Sequence, residues 1–238
     1  MGTPTQLIQH ATRSRHSDEG SLKQFQVIFF DLDDTLYPAE NGVWTMISAR
    51  ISRYMTEQMG LASPQVAALR QKYAEEQGTT LNGLMQDFSV DPEDYLAFVH
   101  DADLSSLLRP DPVLRSMLAD LPQSKFVFTN ASRGHAERVL ELLGVRSEFD
   151  DIIDIVALGY VNKPELQAYR TALAIAGSPA AACMMVDDRV RNLEPAAALG
   201  MRTVLVGARD EPNEAVDLQI ETVHRLIDDA PELGRNAN

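Results

Sequence analysis

Asp31 and Asp33 stand two residues apart in the run DLDDTLY at 31–37, directly after the apolar stretch Val27, Ile28, Phe29 and Phe30. An unbroken apolar stretch suits a central parallel strand covered on both faces. Side chains at i and i+2 of an extended chain point the same way, so both carboxylates can converge on one pocket. The carboxyl end of such a strand is where open α/β sheets bind ligands. Taken alone, the run reads equally well as a solvated acidic turn.

Three further groups lie at the ends of apolar runs. Thr129 ends the stretch Lys125–Phe128 and precedes Asn130, Ala131 and Ser132. Its hydroxyl, with the amides of a turn at a helix N-terminus, can bind an anion. The plainer reading is an N-cap, which Ser132 could supply. Lys163 precedes Pro164 at a helix start, a poor place for a cation facing the helix dipole and a better one for a lysine that reaches a phosphate. Asp187 and Asp188 end the apolar stretch Cys183–Val186. If these acids converge with Asp31 and Asp33, each like-charge pair at ~4 Å costs about 4 kcal/mol at an effective dielectric near 20. Several such pairs rival the stability of a whole domain. A lysine and a divalent cation relieve that conflict, and oxygen ligands without histidine or cysteine point to Mg²⁺.

Together these groups make phosphoryl-transfer apparatus. Asp31 is the expected nucleophile, attacking phosphorus in line to give an aspartyl-phosphate. Asp33 is expected to protonate the leaving alkoxide and then take a proton from water. An aspartate of pKa about 3.9 is protonated only about once in a thousand at pH 7, so that role requires a raised pKa. Thr129, the Asn130 amide and Lys163 are expected to hold the equatorial oxygens. Mg²⁺ is placed among Asp31, the Asp33 backbone carbonyl and Asp187. Asp188 either completes that shell through a water or orients Lys163, and Asp34 is expected to face solvent.

These groups need a scaffold. Strands are expected at 26–31, 125–129, 152–156, 182–187 and 202–206, with helices at 134–143, 164–176 (opening on Pro164) and 191–199 between the later ones. That alternation describes a Rossmann-like, doubly wound parallel sheet. Nearly a hundred residues separate the first two strands, far more than one crossover needs. They hold helical patterns near 43–59, 64–77, 81–88 and 92–100, and a returning helix at 112–121. Residues 40–108 thus read as an all-helical cap inserted into a core of 25–39 and 109–229, placed to close over the strand ends. Residues 1–24 read as a polar arm, 219–229 as a closing helix and 230–238 as a frayed tail.

The formal charge of −14 argues against a nucleic-acid partner, though not against a small phosphate held by local groups and a cation. No apolar run approaches the ~20 residues of a membrane span. The N-terminus lacks the apolar region of a signal peptide, and the lone Cys183 reads as a reduced core thiol, so a cytoplasmic location is expected. His10, His16, His100, His135 and His224 are scattered without zinc-like spacing, and ordinary surface roles are expected for them.

The chain resembles the haloacid dehalogenase superfamily of phosphatases through four motifs in order: DLDDT at 31–35, FTNAS at 128–132, Lys163–Pro164, and VDD at 186–188. The resemblance implies a Rossmann-like core with a C1-type helical cap after the first motif. It also implies nucleophile, acid/base and metal roles for Asp31, Asp33 and Asp187. Within the superfamily, FFDLDDTLYP at 29–38, QGTTLNGLM at 77–85 and TNASRGHAERVLELLGV at 129–145 look like the pyrimidine 5′-nucleotidase branch. That implies a nucleoside monophosphate such as UMP or CMP as substrate, with the Gly78–Thr79–Thr80 turn reaching into the pocket and Thr79 in contact with the substrate. The plain alternative is that Gly78 stops one helix and Thr80 caps the next. Trp44 and Tyr73 could stack on a base, but a helical bundle needs aromatic core residues, and core positions are expected for both.

Three rivals keep the fold and change the chemistry. A dehalogenase needs neither Asp33 as an acid nor a metal cluster. A phosphonatase needs a cap lysine, and Lys72 is the one lysine in that interval. Other phosphatases of the fold, acting on phosphoglycolate or sugar phosphates, are the main alternative, because cap sequence predicts substrate poorly. A receiver domain, a non-enzymatic phospho-accepting module, also combines an acidic pair with Asp, Thr and Lys. Its acidic pair comes first, however, whereas here the pair at 187–188 comes last.

Overall fold

The first strand, β1 (Val27–Phe30), is buried along its whole length because both faces of the sheet are covered. Val27 and Phe29 pack on one side with Phe128, Tyr169, Cys183 and Met185, while Ile28 and Phe30 pack on the other with Leu118, Val139, Met184 and Val186. The computed structural model describes residues 25–207 and 212–233, so the expected arm at 1–24 lies outside the described residues. Among the described residues six parallel strands follow the order β3-β2-β1-β4-β5-β6, with β2 at Ser124–Phe128, β3 at Asp151–Ile153, β4 at Cys183–Asp187, β5 at Arg202–Val206 and β6 at Leu218–Ile220. This is the expected doubly wound sheet.

Between β1 and β2 the chain forms four helices of the insertion, α1 (Val43–Glu57), α2 (Ser63–Glu76), α3 (Thr80–Phe88) and α4 (Pro92–His100), then the returning α5 (Pro112–Asp120). Their starts are set locally. Asp91 accepts from the Glu93 amide at 2.9 Å, Asp111 from Leu114 at 2.9 Å, and Thr79 from Asn82 at 3.2 Å, each freeing the first turn of an unpaired donor. The insertion shares its apolar interior with one face of the sheet through Ile47, Ile51, Met55 and Leu84. Tyr73 is fully buried there, as expected, with its ring against Gly83 and its hydroxyl on Asp87 at 2.7 Å.

Helices α6 (Arg133–Leu143), α7 (Leu166–Ala176) and α8 (Val190–Ala198) complete the layers. The expected closure of α6 at Gly144 holds: φ is +72° and its amide bonds Glu141 and Leu140 carbonyls. Three sequence expectations change. Pro164 does not open α7; it follows Lys163 through a cis bond, and the helix begins two residues later at Leu166. The segment 219–229 is not one helix. Leu218–Ile220 is the edge strand β6, in register with Val204–Val206, and only the short α9 (Leu226–Asp229) is α-helical. Three residues alternating apolar, polar, apolar satisfy a strand period that a longer helical window hides. The expected tail is also held in part, since Ala230 and Leu233 are fully buried and the Leu233 carbonyl accepts from Gln123 at 3.1 Å.

Candidate active site

The register of the sheet brings two sequence-distant acids and a threonine to one edge. Phe30 lies opposite both Val127 on β2 and Val186 on β4, so Asp31, Phe128–Thr129 and Asp187 leave the sheet side by side. The Asp31 amide continues the ladder to the Val186 carbonyl at 2.9 Å, and the Thr129 amide reaches Ile153 at 3.0 Å. Lys163 arrives from the loop before α7. Its Nζ lies 2.6 Å from Asp31 Oδ1 and 2.8 Å from Asp187 Oδ2, and only 2% of the residue is exposed. The ammonium also sits 5.1 Å from the centre of the Phe128 ring.

Each acid is fixed by further bonds. Asp31 Oδ2 accepts from the Thr35 hydroxyl at 3.2 Å. Asp187 accepts from the Arg189 amide and from Asn192 Nδ2, both at 2.9 Å. Thr129 Oγ1 accepts from the Ala131 amide at 3.0 Å, which leaves its O–H to donate to a ligand in the cavity it lines. Ser132 does not cap α6 with its side chain. Its hydroxyl meets His100 Nδ1 at 2.8 Å, and Asp154 caps the helix instead by accepting from the Arg133 amide.

Oxygen atoms of Asp31, Asp187 and Asp188 all lie within 4.8 Å of one another. Burial, together with neighbouring acids, raises Asp31 to about 6 although Lys163 works against the shift. Asp188 rises to about 6 through burial and the charge of Asp31, and burial also raises Asp187. Burial disfavours the charged form of Lys163, yet Asp187 and Asp31 more than compensate and its pKa is raised. Asp31 and Asp187 thus share one ammonium, Asp188 meets the half-exposed Arg189 at 3.8 Å, and the remaining negative charge is what a hard cation with oxygen ligands neutralises. The donor set fits such an ion.

The Asp33 carboxylate is not part of that cluster; the metal role expected of Asp33 rests on its backbone carbonyl. Its Oδ1 accepts from the Tyr37 hydroxyl and lies 2.9 Å from His135 Nε2. Burial pushes Asp33 upward, but His135 and Tyr37 outweigh it and hold the carboxyl at about 2. The raised pKa expected for Asp33 is therefore not what its surroundings produce in the free protein. The surface roles expected for two histidines also fail. His100 and His135 are buried, their rings stack at 4.6 Å, and burial with His135 alongside lowers His100 to about 3. His224 pairs with Asp111 at 2.8 Å, while His10 and His16 lie outside the described residues. Asp34, expected in solvent, is half-buried at φ +65° on the cavity wall, and burial plus Asp33 raises it to about 6.

The cavity measures about 390 Å³ and lies between the strand ends and the insertion. Asp31, Asp33, Thr129, Asn130, Lys163 and Asp188 line its floor, and Gly78, Thr79 and Thr80 line it from the α2–α3 turn. Thr79, not Thr80, caps α3. The wall of the insertion mixes apolar Ile47, Ile51, Leu96 and Val99 with polar Arg70 and Gln71. Trp44 is not in the core; it is 43% exposed on that wall, with the Arg189 guanidinium 6.0 Å from its ring centre. Sequence reasoning missed Tyr37, His100, His135 and Asn162. Tyr37 alone carried a local signal, four residues after Asp33 in the same motif.

The raised acids make a signed prediction. Asp31, Asp34 and Asp188 are raised to about 6 from the ordinary aspartate value of 3.8, so between those limits the folded protein holds more protons than the unfolded chain. The contribution of these three acids to metal-free stability therefore falls as pH rises through about 4 to 6, that of Asp33 is lost only below about 4, and that of His100, lowered to about 3, partly offsets the fall up to about pH 6.5. Thermal unfolding of metal-free protein is expected a few degrees lower at pH 8 than at pH 5, with Mg²⁺ restoring more at pH 8 than at pH 5. A midpoint that rises from pH 5 to pH 8 and ignores Mg²⁺ would contradict the cluster's electrostatics.

Residues 25–200 match the family model described as haloacid dehalogenase-like hydrolase. Phosphate metabolism protein 8 of Saccharomyces cerevisiae is 28% identical over 195 residues, covering 76% of this chain; the chain spans 61% of that relative's length. Among solved structures, CbbY from Rhodobacter sphaeroides in complex with phosphate has a TM-score of 0.61 at 19% identity, covering 88% of this chain and 99% of that one. A 2-haloacid dehalogenase from Pseudomonas syringae pv. Tomato DC3000 has a TM-score of 0.56 at 19% identity, covering 86% and 97%. Likeness at such identity carries the fold, and the match along three quarters of the sequence carries the family: the chain belongs to the haloacid dehalogenase-like hydrolases.

Proposed function

We propose that this hydrolase is a cytoplasmic, Mg²⁺-dependent phosphomonoesterase acting on nucleoside 5′-monophosphates, preferentially pyrimidine ones. The observation that carries the phosphatase reading is Lys163, buried and held 2.6 Å from Asp31 and 2.8 Å from Asp187, with Thr129 on the same cavity floor. Asp31 attacks phosphorus, the ester P–O bond breaks, and the phosphoryl group rests on the Asp31 carboxylate. Thr129, the Asn130 amide and Lys163 hold the other phosphoryl oxygens. Asp31, the Asp33 carbonyl and Asp187 would hold Mg²⁺, with Asp188 beside them, and the bound ion would supply charge neutralisation at the phosphoryl group.

Asp33 gives a proton to the leaving alkoxide, and then takes one from the water that attacks phosphorus and releases inorganic phosphate. A carboxyl held at about 2 carries no proton at neutral pH by itself. His135, 2.9 Å away, therefore works with Asp33 as one acid–base unit. The dehalogenase alternative has no use for this proton-transfer pair. Support for a nucleotide comes from the pyrimidine-nucleotidase-like stretches, the size of the cavity and the exposed Trp44 on its wall. The phosphate-bound CbbY neighbour and the phosphate-metabolism name of the yeast relative agree with the broader reading.

A phosphate-release panel with Mg²⁺ tests the substrate. UMP and CMP are expected to exceed AMP, phosphoglycolate and sugar phosphates at least tenfold in kcat/KM. Turnover of phosphoglycolate with no nucleotide activity would overturn the substrate and keep the chemistry; halide release without phosphate release would overturn both. The proton-transfer unit makes a separate prediction. His135→Gln should slow UMP on the order of 10²-fold and p-nitrophenyl phosphate far less, because a nitrophenolate leaves without protonation. Equal losses on both esters would contradict it.

A further inference from the structure

The α2–α3 turn of the insertion grips the segment that carries Lys163. Asn82, in the first turn of α3, donates from Nδ2 to the Tyr160 carbonyl at 3.3 Å and to Asn162 Oδ1. Asn162 is fully buried and donates its own Nδ2 to the Lys163 carbonyl at 2.6 Å. From the opposite side Asn130 accepts from the Lys163 amide at 2.8 Å and donates to the same carbonyl at 3.1 Å. Two asparagines thus clamp the backbone of Lys163, and the insertion holds one of them.

Gly78 meets the clamp at the same point. A Cβ there would lie 2.3 Å from Asn162 Nδ2 and 3.4 Å from both the Lys163 carbonyl oxygen and Pro164 Cδ. Its φ of +77° also favours glycine, so conformation and close approach impose the same choice.

We infer that Asn162 is a positioning residue for Lys163, and that Asn82 and Gly78 make this positioning depend on the insertion lying against the sheet edge. The reason is the polarity of one amide. Asn162 presents Oδ1 to Asn82 and therefore Nδ2 to the Lys163 carbonyl, so one orientation serves both bonds. Without Asn82 the amide is free to turn, and the Lys163 backbone keeps only Asn130. The ammonium at the far end of that residue must meet Asp31 and Asp187 together, and a displacement of about 1 Å at such a site costs on the order of 10²-fold in rate. The insertion then does more than enclose the substrate: its seated position sets the cation that the reaction uses.

The inference rests on the phosphatase reading for its kinetic readout, so the test carries a second arm that does not. Asn82→Ala, Gly78→Ala and the double variant are assayed on p-nitrophenyl phosphate and for inhibition by vanadate. Deuterium exchange is followed in peptides covering 160–164 and 183–187. Each single variant is expected to lose roughly tenfold or more in kcat. Vanadate should weaken in parallel, and the double variant should be no worse than the poorer single, because both changes act through Asn162. Exchange should quicken at 160–164 and stay unchanged at 183–187. An unchanged kcat with only a lower unfolding temperature, multiplicative losses, or unchanged exchange at 160–164 would overturn the inference. If the wild-type protein released phosphate from no ester, the phosphatase reading would fail, while the exchange arm would still decide the clamp.

Discussion

One ammonium between two buried carboxylates is the constraint on which the site depends. Lys163 is 2% exposed and Asp187 wholly buried, so neither charge can be screened by water. Removing one partner of such a set would strand the others, and stranded buried charges cost several kcal/mol each. Even with Lys163 in place, Asp31, Asp187 and Asp188 are raised by burial and mutual repulsion. The free protein therefore holds a local deficit of positive charge next to its candidate nucleophile. A divalent cation and a phosphoryl group arriving together suit that deficit better than either alone.

The sheet supplies this arrangement through register. Placing β1 between β2 and β4 puts Asp31, Thr129 and Asp187 at one edge without any of them leaving its strand end. Lys163 has no strand to carry it, and it is the residue whose backbone needs the Asn130 and Asn162 clamp. Asp33 lines the same cavity as Asp31 but is captured by Tyr37 and His135. The two carboxylates of one motif thus enter opposite electrostatic regimes, one raised toward neutrality and one held ionised.

What could be read from the sequence was whatever local pattern determines. Continuous apolar runs located five of the six strands, all but β6, and glycine or proline punctuation located most helix ends. Period-2 spacing placed Asp31 and Asp33 on one side. The edge strand Leu218–Ile220 escaped because three residues carry too little periodicity to outweigh a longer helical pattern. His100 and His135 escaped for another reason: their stack joins the end of α4 to the start of α6, and no local pattern records a contact across 35 residues. Asp33's depressed pKa and Asp34's half-burial follow from those same tertiary neighbours. The substrate is least legible, since the insertion's wall combines Trp44 with aliphatic residues that many phosphate esters would accept.

The central claim is that Asp31 carries the phosphoryl group. Protein quenched in acid during steady turnover of UMP, with Mg²⁺ present, can be reduced with borohydride and its peptides sequenced by mass spectrometry. Borohydride converts an aspartyl-phosphate into homoserine and leaves a free carboxylate untouched. Homoserine at position 31, absent when substrate or Mg²⁺ is omitted, is the expected result. Intact aspartate at that position in protein quenched while phosphate is being released faster than the trapped species decays, or a phosphoryl group on another residue, would contradict it.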